Sequence, residues 1–327
     1  MKKEDYLKRL KYLLMDMPME DLKQIEEFYE ELIFDGLDQG FTEEEILGKL
    51  ETPEEVAEKI RAEYGGMVVY TAKSKSRETK RDYESKELIH TVRLETENLK
   101  IRVKTTEDGP VRVYFKRKDN LDEVTFEEKD GVFSFIHKRK ENMSLKNWLS
   151  LFVDYNLLIL ELPMNFAGNL YIKTTNGSIR ISGLGSLVSG EICSNNGRIK
   201  MENGRTEHLQ IKTNNGKIDL MNLMGDSLDV STGNGLINVK ECRFIEKLSL
   251  QTQNGAVTAR NVISDHILMK TSNGLVTATI IGNRNDYNIN STTRNGFNNL
   301  ENICDLERSK SLVARTHNGR IQVDFTM

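Results

Sequence analysis

Residues 211–239 read IKTNNGKIDLMNLMGDSLDVSTGNGLINV and contain one motif twice. Each copy runs through alternating apolar residues to Thr, any residue, Asn-Gly, and then two more apolar residues at alternate positions. The motif occurs eight times, and its Asn-Gly pairs begin at Asn176, Asn196, Asn215, Asn234, Asn254, Asn273, Asn295 and Asn318. The spacings are 20, 19, 19, 20, 19, 22 and 23 residues. A period near twenty residues is typical of a repeat architecture whose units stack on one another.

The hydroxyl residue two positions before each asparagine forms a second column. Its members are Thr174, Ser194, Thr213, Thr232, Thr252, Thr271, Thr293 and Thr316. Apolar residues fill the alternating inward positions on both sides of the Asn-Gly pair, as expected for two short strands per unit. The exceptions, Ser291 and Asn298, fall in the seventh unit, where the spacing also lengthens.

Two folds satisfy this pattern. The two strands of a unit could pair with each other as stacked hairpins, or each could pair with its counterpart in the next unit as a β-solenoid. Columns of Thr and Asn favour the solenoid, because equivalent side chains then stack and can hydrogen-bond along the stack. We expect Asn-Gly to turn the corner through residues at positive φ. The predicted class is therefore mostly β, a β-solenoid of 19–20-residue rungs with a small N-terminal all-α domain.

The chain divides into four predicted regions. Residues 1–64 have helical spacing and two capping boxes, at Thr42 and Thr52, which predict helices at 3–16, 19–37, 42–49 and 53–64. This helical interaction domain holds 9 Lys and Arg against 19 Asp and Glu, whereas the remainder has a net charge of +6. Residues 65–87 are predicted to be a flexible charged linker, 88–165 an irregular β N-terminal cap, and 166–327 the eight-rung solenoid.

The last repeat ends at Val323, only four residues before the final residue, Met327. An uncovered solenoid edge exposes unpaired backbone groups. We therefore expect this edge to be covered by the helical domain or by self-association with another copy.

The Thr-x-Asn-Gly rungs, over roughly residues 90–327, resemble the adhesin-type repeat family DUF4097, whose members form β-solenoid-like stacks. The helical segment from KKEDYLKRLKYLL to TPEEVAEKI resembles the DUF1700-type domain. These resemblances imply a bacterial cell-envelope protein, an adhesin-like binding protein or scaffold without established enzymatic activity. Many relatives carry a transmembrane helix between the two regions, where this chain has its hydrophilic linker.

Motifs for catalysis are not found in the sequence. The five histidines are scattered without HExxH spacing, and carboxylates do not stack on the outward columns. Three cysteines without CxxC spacing suggest free thiols. We expect no enzyme, cofactor, metal site or nucleic-acid partner. A carbohydrate-active solenoid enzyme and a pure structural spacer remain the alternatives.

Two surface features are candidates for binding. The first three rungs carry outward cations, at Lys173, Arg180, Arg198, Lys200, Lys212 and Lys217. These residues could bind an anionic wall polymer, a phospholipid surface or the acidic domain, or they could form an ordinary solvated face. The segment 137–152 combines basic residues with Trp148, Leu149 and Phe152 and fits either a membrane or partner contact or a plug of the solenoid core.

Partners and location follow from the same features. The acidic helical domain suits contact with a protein partner. An N-terminal hydrophobic run and an apolar span are both missing from the sequence, which favours the cytoplasm, whereas the family resemblance favours the cell surface.

Overall fold

The computed structural model describes residues 2–17, 22, 25–26, 29–30, 32–33, 37, 41–68, 81–115, 122–139 and 157–326. Two compact units divide the chain. One comprises residues 1–80 with 142–155, and the other residues 81–141 with 156–327. They are the helical unit and the β unit below.

The helical unit contains α1 (Lys3–Leu13), α2 (Glu43–Leu47) and α3 (Pro53–Val68), and the described residues between 22 and 37 are also helical. Thr42 and Glu45 form the predicted capping box of α2, and Thr52 and Glu55 exchange the same bonds at α3. Helix α3 continues four residues past its predicted end. The buried side chains that unite these helices are those of Tyr6, Leu10, Leu14, Leu22, Val56 and Ala57.

Over its described residues, the β unit contains nineteen strands and one 3-10 turn, at Arg284–Asp286. The strands are β1 (Arg81–Glu84), β2 (Thr91–Thr96), β3 (Lys100–Thr106), β4 (Arg112–Phe115), β5 (Asp122–Lys129), β6 (Val132–Arg139), β7 (Leu157–Pro163), β8 (Asn169–Thr174), β9 (Ile179–Ser194), β10 (Ile199–Thr213), β11 (Ile218–Thr232), β12 (Ile237–Lys240), β13 (Arg243–Thr252), β14 (Val257–Val262), β15 (His266–Lys270), β16 (Val276–Ile281), β17 (Tyr287–Asn295), β18 (Lys310–Asn318) and β19 (Ile321–Thr326).

Strands pair in parallel with their counterparts one rung away, which confirms the solenoid and excludes stacked hairpins. In β10 and β11, Ile199 pairs with Ile218 and Thr213 with Thr232, so the register equals the sequence repeat. We call a segment that ends at the motif Thr a pre-corner strand and the segment after Asn-Gly a post-corner strand. The two kinds form two faces whose inward apolar side chains fill one continuous core.

The positive-φ prediction for Asn-Gly is wrong. None of the eight motif asparagines or their glycines has positive φ, although Asn98, at the same corner of an earlier rung, does. Left-handed residues lie instead about seven positions after the motif asparagine, at Gly183, Asn203, Asn222, Glu241, Asn261 and, in a lengthened turn, Gly282. The solenoid therefore has an asparagine corner, made by the Thr-x-Asn-Gly segments, and an opposite corner, made by the left-handed residues.

An irregular region ends the stack on the N-terminal side. Strands β2 and β3 form a full rung with its own corner at Asn98, and they pair in parallel with β8 and β9. Strands β6 and β7 lie outside that rung, although they follow it in sequence. Antiparallel pairings of β5 with β6 and of β4 with β7 and β1 complete this end.

Rung order also reverses at the C-terminal end. Strand β18 pairs with β15 on one side and β17 on the other, so the eighth repeat lies inside the seventh. The expectation that Val323 ends an uncovered edge is therefore wrong. The outermost rung folds back on itself through an antiparallel bridge between Ile289 and Ile303. Ser291 and Asn298, the two polar residues in the apolar columns of this rung, form a hydrogen bond with each other. Ser291 Oγ donates to Asn298 Oδ1 at 3.0 Å.

Candidate functional site

The asparagine corner is built on a stack of glycines. A Cβ placed on Gly235 would overlap the carbonyl oxygen of Gly216, and the same overlap recurs at every motif glycine, with Leu99 supplying the carbonyl beneath Gly177. At these eight positions each rung thus approaches its neighbour closely enough to exclude a side chain. The glycine recurs because of this approach and not because of its φ angle.

Threonine hydroxyls connect each corner to the next. Thr232 Oγ1 accepts from the Gly235 N–H at 3.1 Å and donates to the Gly216 carbonyl at 3.3 Å, so one hydroxyl satisfies buried backbone groups in two rungs. The donation to a neighbouring glycine carbonyl, at 2.8–3.4 Å, is made by Ser194, Thr213, Thr232, Thr252, Thr271, Thr293 and Thr316. Thr174 Oγ1 accepts from the Gly177 N–H, as Thr232 Oγ1 accepts from the Gly235 N–H.

The asparagines form one hydrogen-bonded ladder on the outside of this corner. Each side-chain amide donates to the side-chain carbonyl of the adjacent rung at 2.6–2.8 Å. In spatial order the ladder is Asn98, Asn176, Asn196, Asn215, Asn234, Asn254, Asn273, Asn318 and Asn295. Asn98 belongs to a further rung that the Asn-Gly repeat does not reveal, because Leu99 stands where the other rungs have glycine.

The six cations singled out from the sequence lie on two different faces. Lys173 and Lys212 belong to pre-corner strands, whereas Arg180, Arg198, Lys200 and Lys217 lie on or beside post-corner strands. On the post-corner face, Arg102 pairs in register with Arg180, and Arg180 with Lys200. We call Arg102, Arg180 and Lys200 the cationic column. Sequence reasoning missed Arg102, although the Thr96-Glu97-Asn98 segment before it matches the motif.

Carboxylates neutralise part of the surrounding charge. Asp219 accepts from Arg198 at 2.6 and 2.9 Å and forms an ion pair with Lys217 at 3.0 Å. Burial would raise the pKa of Asp219, but the hydrogen bond from Asn238 and the charges of Arg198 and Lys217 outweigh it and lower the pKa. Lys200 pairs with Glu202 at 3.3 Å. The cationic column therefore lies next to a compact, internally paired cluster.

A shallow groove of about 280 Å³ lies on the pre-corner face of the first rungs. The Arg93 guanidinium stacks 5.1 Å from the centroid of the Tyr171 ring, and Lys173, Glu191 and Cys193 line the other side. Burial raises the pKa of the Cys193 thiol, and the nearby Glu191 charge raises it further. A second groove, of about 210 Å³, lies at the opposite corner between Arg205, Met224 and Arg243.

Other predicted features can be placed only in part. Trp148, Leu149 and Phe152 lie outside the described residues. Within the described ranges, no group of three or more His, Cys, Asp or Glu side chains has the arrangement of a metal site. None of the helices, over the part of the chain that the structure covers, is long and apolar enough to cross a bilayer.

Comparison with known proteins identifies two family models. The Toastrack DUF4097 model matches residues 68–301, and the HAAS model matches residues 5–59. The predicted DUF1700-type resemblance of the helical unit is not confirmed. No curated protein matches the chain.

A crystal structure described as a "putative cell adhesion protein from Clostridium sporogenes ATCC 15579" shares 14% sequence identity, with a TM-score of 0.21. The match covers 73% of this chain and 94% of that one. Nothing about this chain's fold or function rests on so weak a superposition. The Toastrack model, by contrast, spans well over half of the sequence, and the chain belongs to the Toastrack DUF4097 family.

Proposed function

We propose that this protein is a non-catalytic, adhesin-like scaffold of the bacterial cell envelope, and that its cationic column binds an anionic wall polymer. The observation that supports this most directly is the register of Arg102, Arg180 and Lys200 on three consecutive rungs. Neighbouring strands lie about 4.8 Å apart, so the three positive charges follow one another along the stack axis.

Stacked like charges weaken a sheet. Directly opposed side chains of the same sign repel each other and destabilise the pairing. An anion placed along the column would offset this repulsion. Asp219, in register with Lys200 on the next rung, forms ion pairs with Arg198 and Lys217, and Glu202 pairs with Lys200.

A polymer suits this surface better than a small ligand. The column runs across rungs along an outward sheet face, and Lys100 and Lys104 lie on the same strand as Arg102. A chain with regularly spaced phosphates could contact several rungs at once, and its affinity would come from many weak, salt-sensitive contacts.

The helical unit would supply a protein contact. Residues 1–64 carry a net charge of −10, and exposed ion pairs such as Arg9–Glu54 and Arg61–Asp16 join some of the acidic groups to cations. We propose that this acidic surface binds a basic region of a partner protein, while the solenoid binds the polymer. This arrangement would place the protein at the cell surface or at the inner face of the envelope.

Polymer binding is tested with a poly(glycerol phosphate) chain immobilised on a sensor. The triple variant R102Q/R180Q/K200Q should weaken binding about tenfold, corresponding to about 0.5 kcal/mol for each surface contact. The control K240Q/R260Q/K270Q removes the same charge from later rungs and should retain wild-type affinity. Raising the salt concentration should weaken wild-type binding more than that of the triple variant.

Four outcomes would contradict the proposal. Equal losses in both triple variants would indicate a general charge effect. Retention on anionic vesicles without retention on the polymer would assign the column to a membrane surface. Release of reducing sugar ends from purified wall polysaccharide would favour the enzyme alternative. If every variant kept both polymer binding and partner capture, the spacer alternative would be favoured.

A further inference from the structure

Asn-Gly is the dipeptide in which asparagine is most open to spontaneous chemistry, because glycine offers no side chain to hinder ring closure. The deprotonated glycine nitrogen attacks the asparagine Cγ, a C–N bond forms, and the amide nitrogen leaves as ammonia. Water then opens the succinimide to aspartate or isoaspartate. The overall reaction replaces the side-chain amide by a carboxylate and consumes one water molecule. This chain carries eight such dipeptides at one corner.

The interior rungs of Asn176, Asn196, Asn215 and Asn234 hold all three reacting groups in hydrogen bonds. Asn234 donates to Asn215 at 2.7 Å, and its side-chain oxygen accepts from Asn254 at 2.7 Å. The attacking nitrogen, the Gly235 N–H, donates to Thr232 Oγ1 at 3.1 Å. Ring closure at this position requires the side chain to leave both neighbours and the N–H to leave its acceptor. The same three restraints apply at Asn196 and Asn215.

Asn295 differs because its rung is the last in space, although it is only the seventh in sequence. Its amide donates to Asn318 at 2.8 Å, which leaves its oxygen at the end of the ladder. Among the residues that the structure describes, none donates to Asn295 Oδ1 and none accepts the Gly296 N–H. Gly296 is exposed, whereas Gly235 is buried.

We propose that Asn295–Gly296 is a modification site, deamidated by water at the open end of the ladder while the interior asparagines stay protected. The modification has a defined structural consequence. An aspartate at this position cannot donate to Asn318 Oδ1, so the outermost rung loses its ladder bond to the rung beneath. The site is independent of the polymer-binding proposal.

The rates of two sites in one molecule provide the test. The folded full-length protein is kept in mildly alkaline buffer, and deamidation is followed by peptide mass spectrometry. We expect Asn295 to react about tenfold faster than Asn234, since one ladder bond and one N–H bond fewer must be broken. The same time course in urea gives the intrinsic deamidation rate of each site in the unfolded chain. The ratio of the Asn295 rate to the Asn234 rate in the folded protein is then divided by the same ratio in urea. A normalised ratio near one would overturn the proposal.

A ladder variant adds a second readout. Asn318→Ala removes the donor to Asn273 Oδ1, so Asn273 should deamidate faster while Asn234, far from the break, keeps its rate. The control Gln322→Ala alters the same repeat on its post-corner face and should leave Asn273 unchanged. A uniform rise at every site would indicate global unfolding of the variant, and an unchanged Asn273 rate would contradict protection by the ladder.

Discussion

The two corners of the solenoid solve the same problem of chain reversal by opposite means. At the asparagine corner the residue types scarcely vary, yet the motif asparagines and glycines have φ angles open to ordinary residues. At the opposite corner the backbone is left-handed, yet residues as different as Gly183, Asn203 and Glu241 occupy the turn. Regularity in sequence therefore marks contact between rungs and does not mark unusual backbone geometry.

The difference has a physical basis in what each residue touches. A motif glycine faces the carbonyl of the rung beneath, so a larger residue would force one of the two backbones to shift. A left-handed residue at the opposite corner bears a local conformational cost of about 1–2 kcal/mol, which the rest of the rung can absorb. Close packing restricts residue choice more strongly than a positive φ angle does.

Gly235→Ala should have the largest effect of the substitutions that test this comparison. Its Cβ would overlap the Gly216 carbonyl, so two rungs must separate, and we expect a loss of about 3 kcal/mol or more in the free energy of unfolding. Urea unfolding followed by far-UV circular dichroism measures the change.

Gly204→Ala is the matched control for that substitution. A Cβ at Gly204 would meet side-chain atoms only at 3.5 Å, which is ordinary van der Waals contact. This variant should unfold at or above the wild-type urea concentration. If both alanine variants are tolerated alike, close approach does not explain the glycine column.

Thr232→Val should have an intermediate effect. Valine keeps the shape of threonine but leaves the buried Gly235 N–H and Gly216 carbonyl without their hydroxyl partner, at a cost of about 2 kcal/mol. Thr258→Val, on the half-exposed outer face of β14, should stay within about 0.5 kcal/mol of wild type. Equal unfolding midpoints for the two variants would refute the role of the hydroxyl column.

Glu241 offers the smallest and most local test, at the opposite corner. Its φ of +55° favours glycine, so Glu241→Gly should be more stable than Glu241→Ala by about 1 kcal/mol. Comparing glycine with alanine cancels the loss of the exposed Lys240–Glu241 ion pair, because both variants remove it. A more stable alanine variant would show that the turn relaxes out of the left-handed region.

Much of the ladder site could be predicted from the sequence, because its members occupy one position in a repeating unit. Parallel pairing brings identical positions together, so the Thr232 and Asn234 columns follow directly from the period. The cationic column could be predicted from the sequence only in part. Arg180 and Lys200 lie in the regular repeats, but Arg102 lies in a rung whose corner lacks glycine.

The sequence by itself determined the rung, its period and which side chains stack, since these depend on residue alternation and on the identity of neighbours within a unit. Only the tertiary structure decided the order of the rungs at the two ends. Strands β6 and β7 lie outside β2 and β3, and β17 lies outside β18. Every rung presents the same backbone hydrogen-bonding edge, so local pattern cannot distinguish one neighbour from another. Loop closure and the packing of the outermost side chains make that choice.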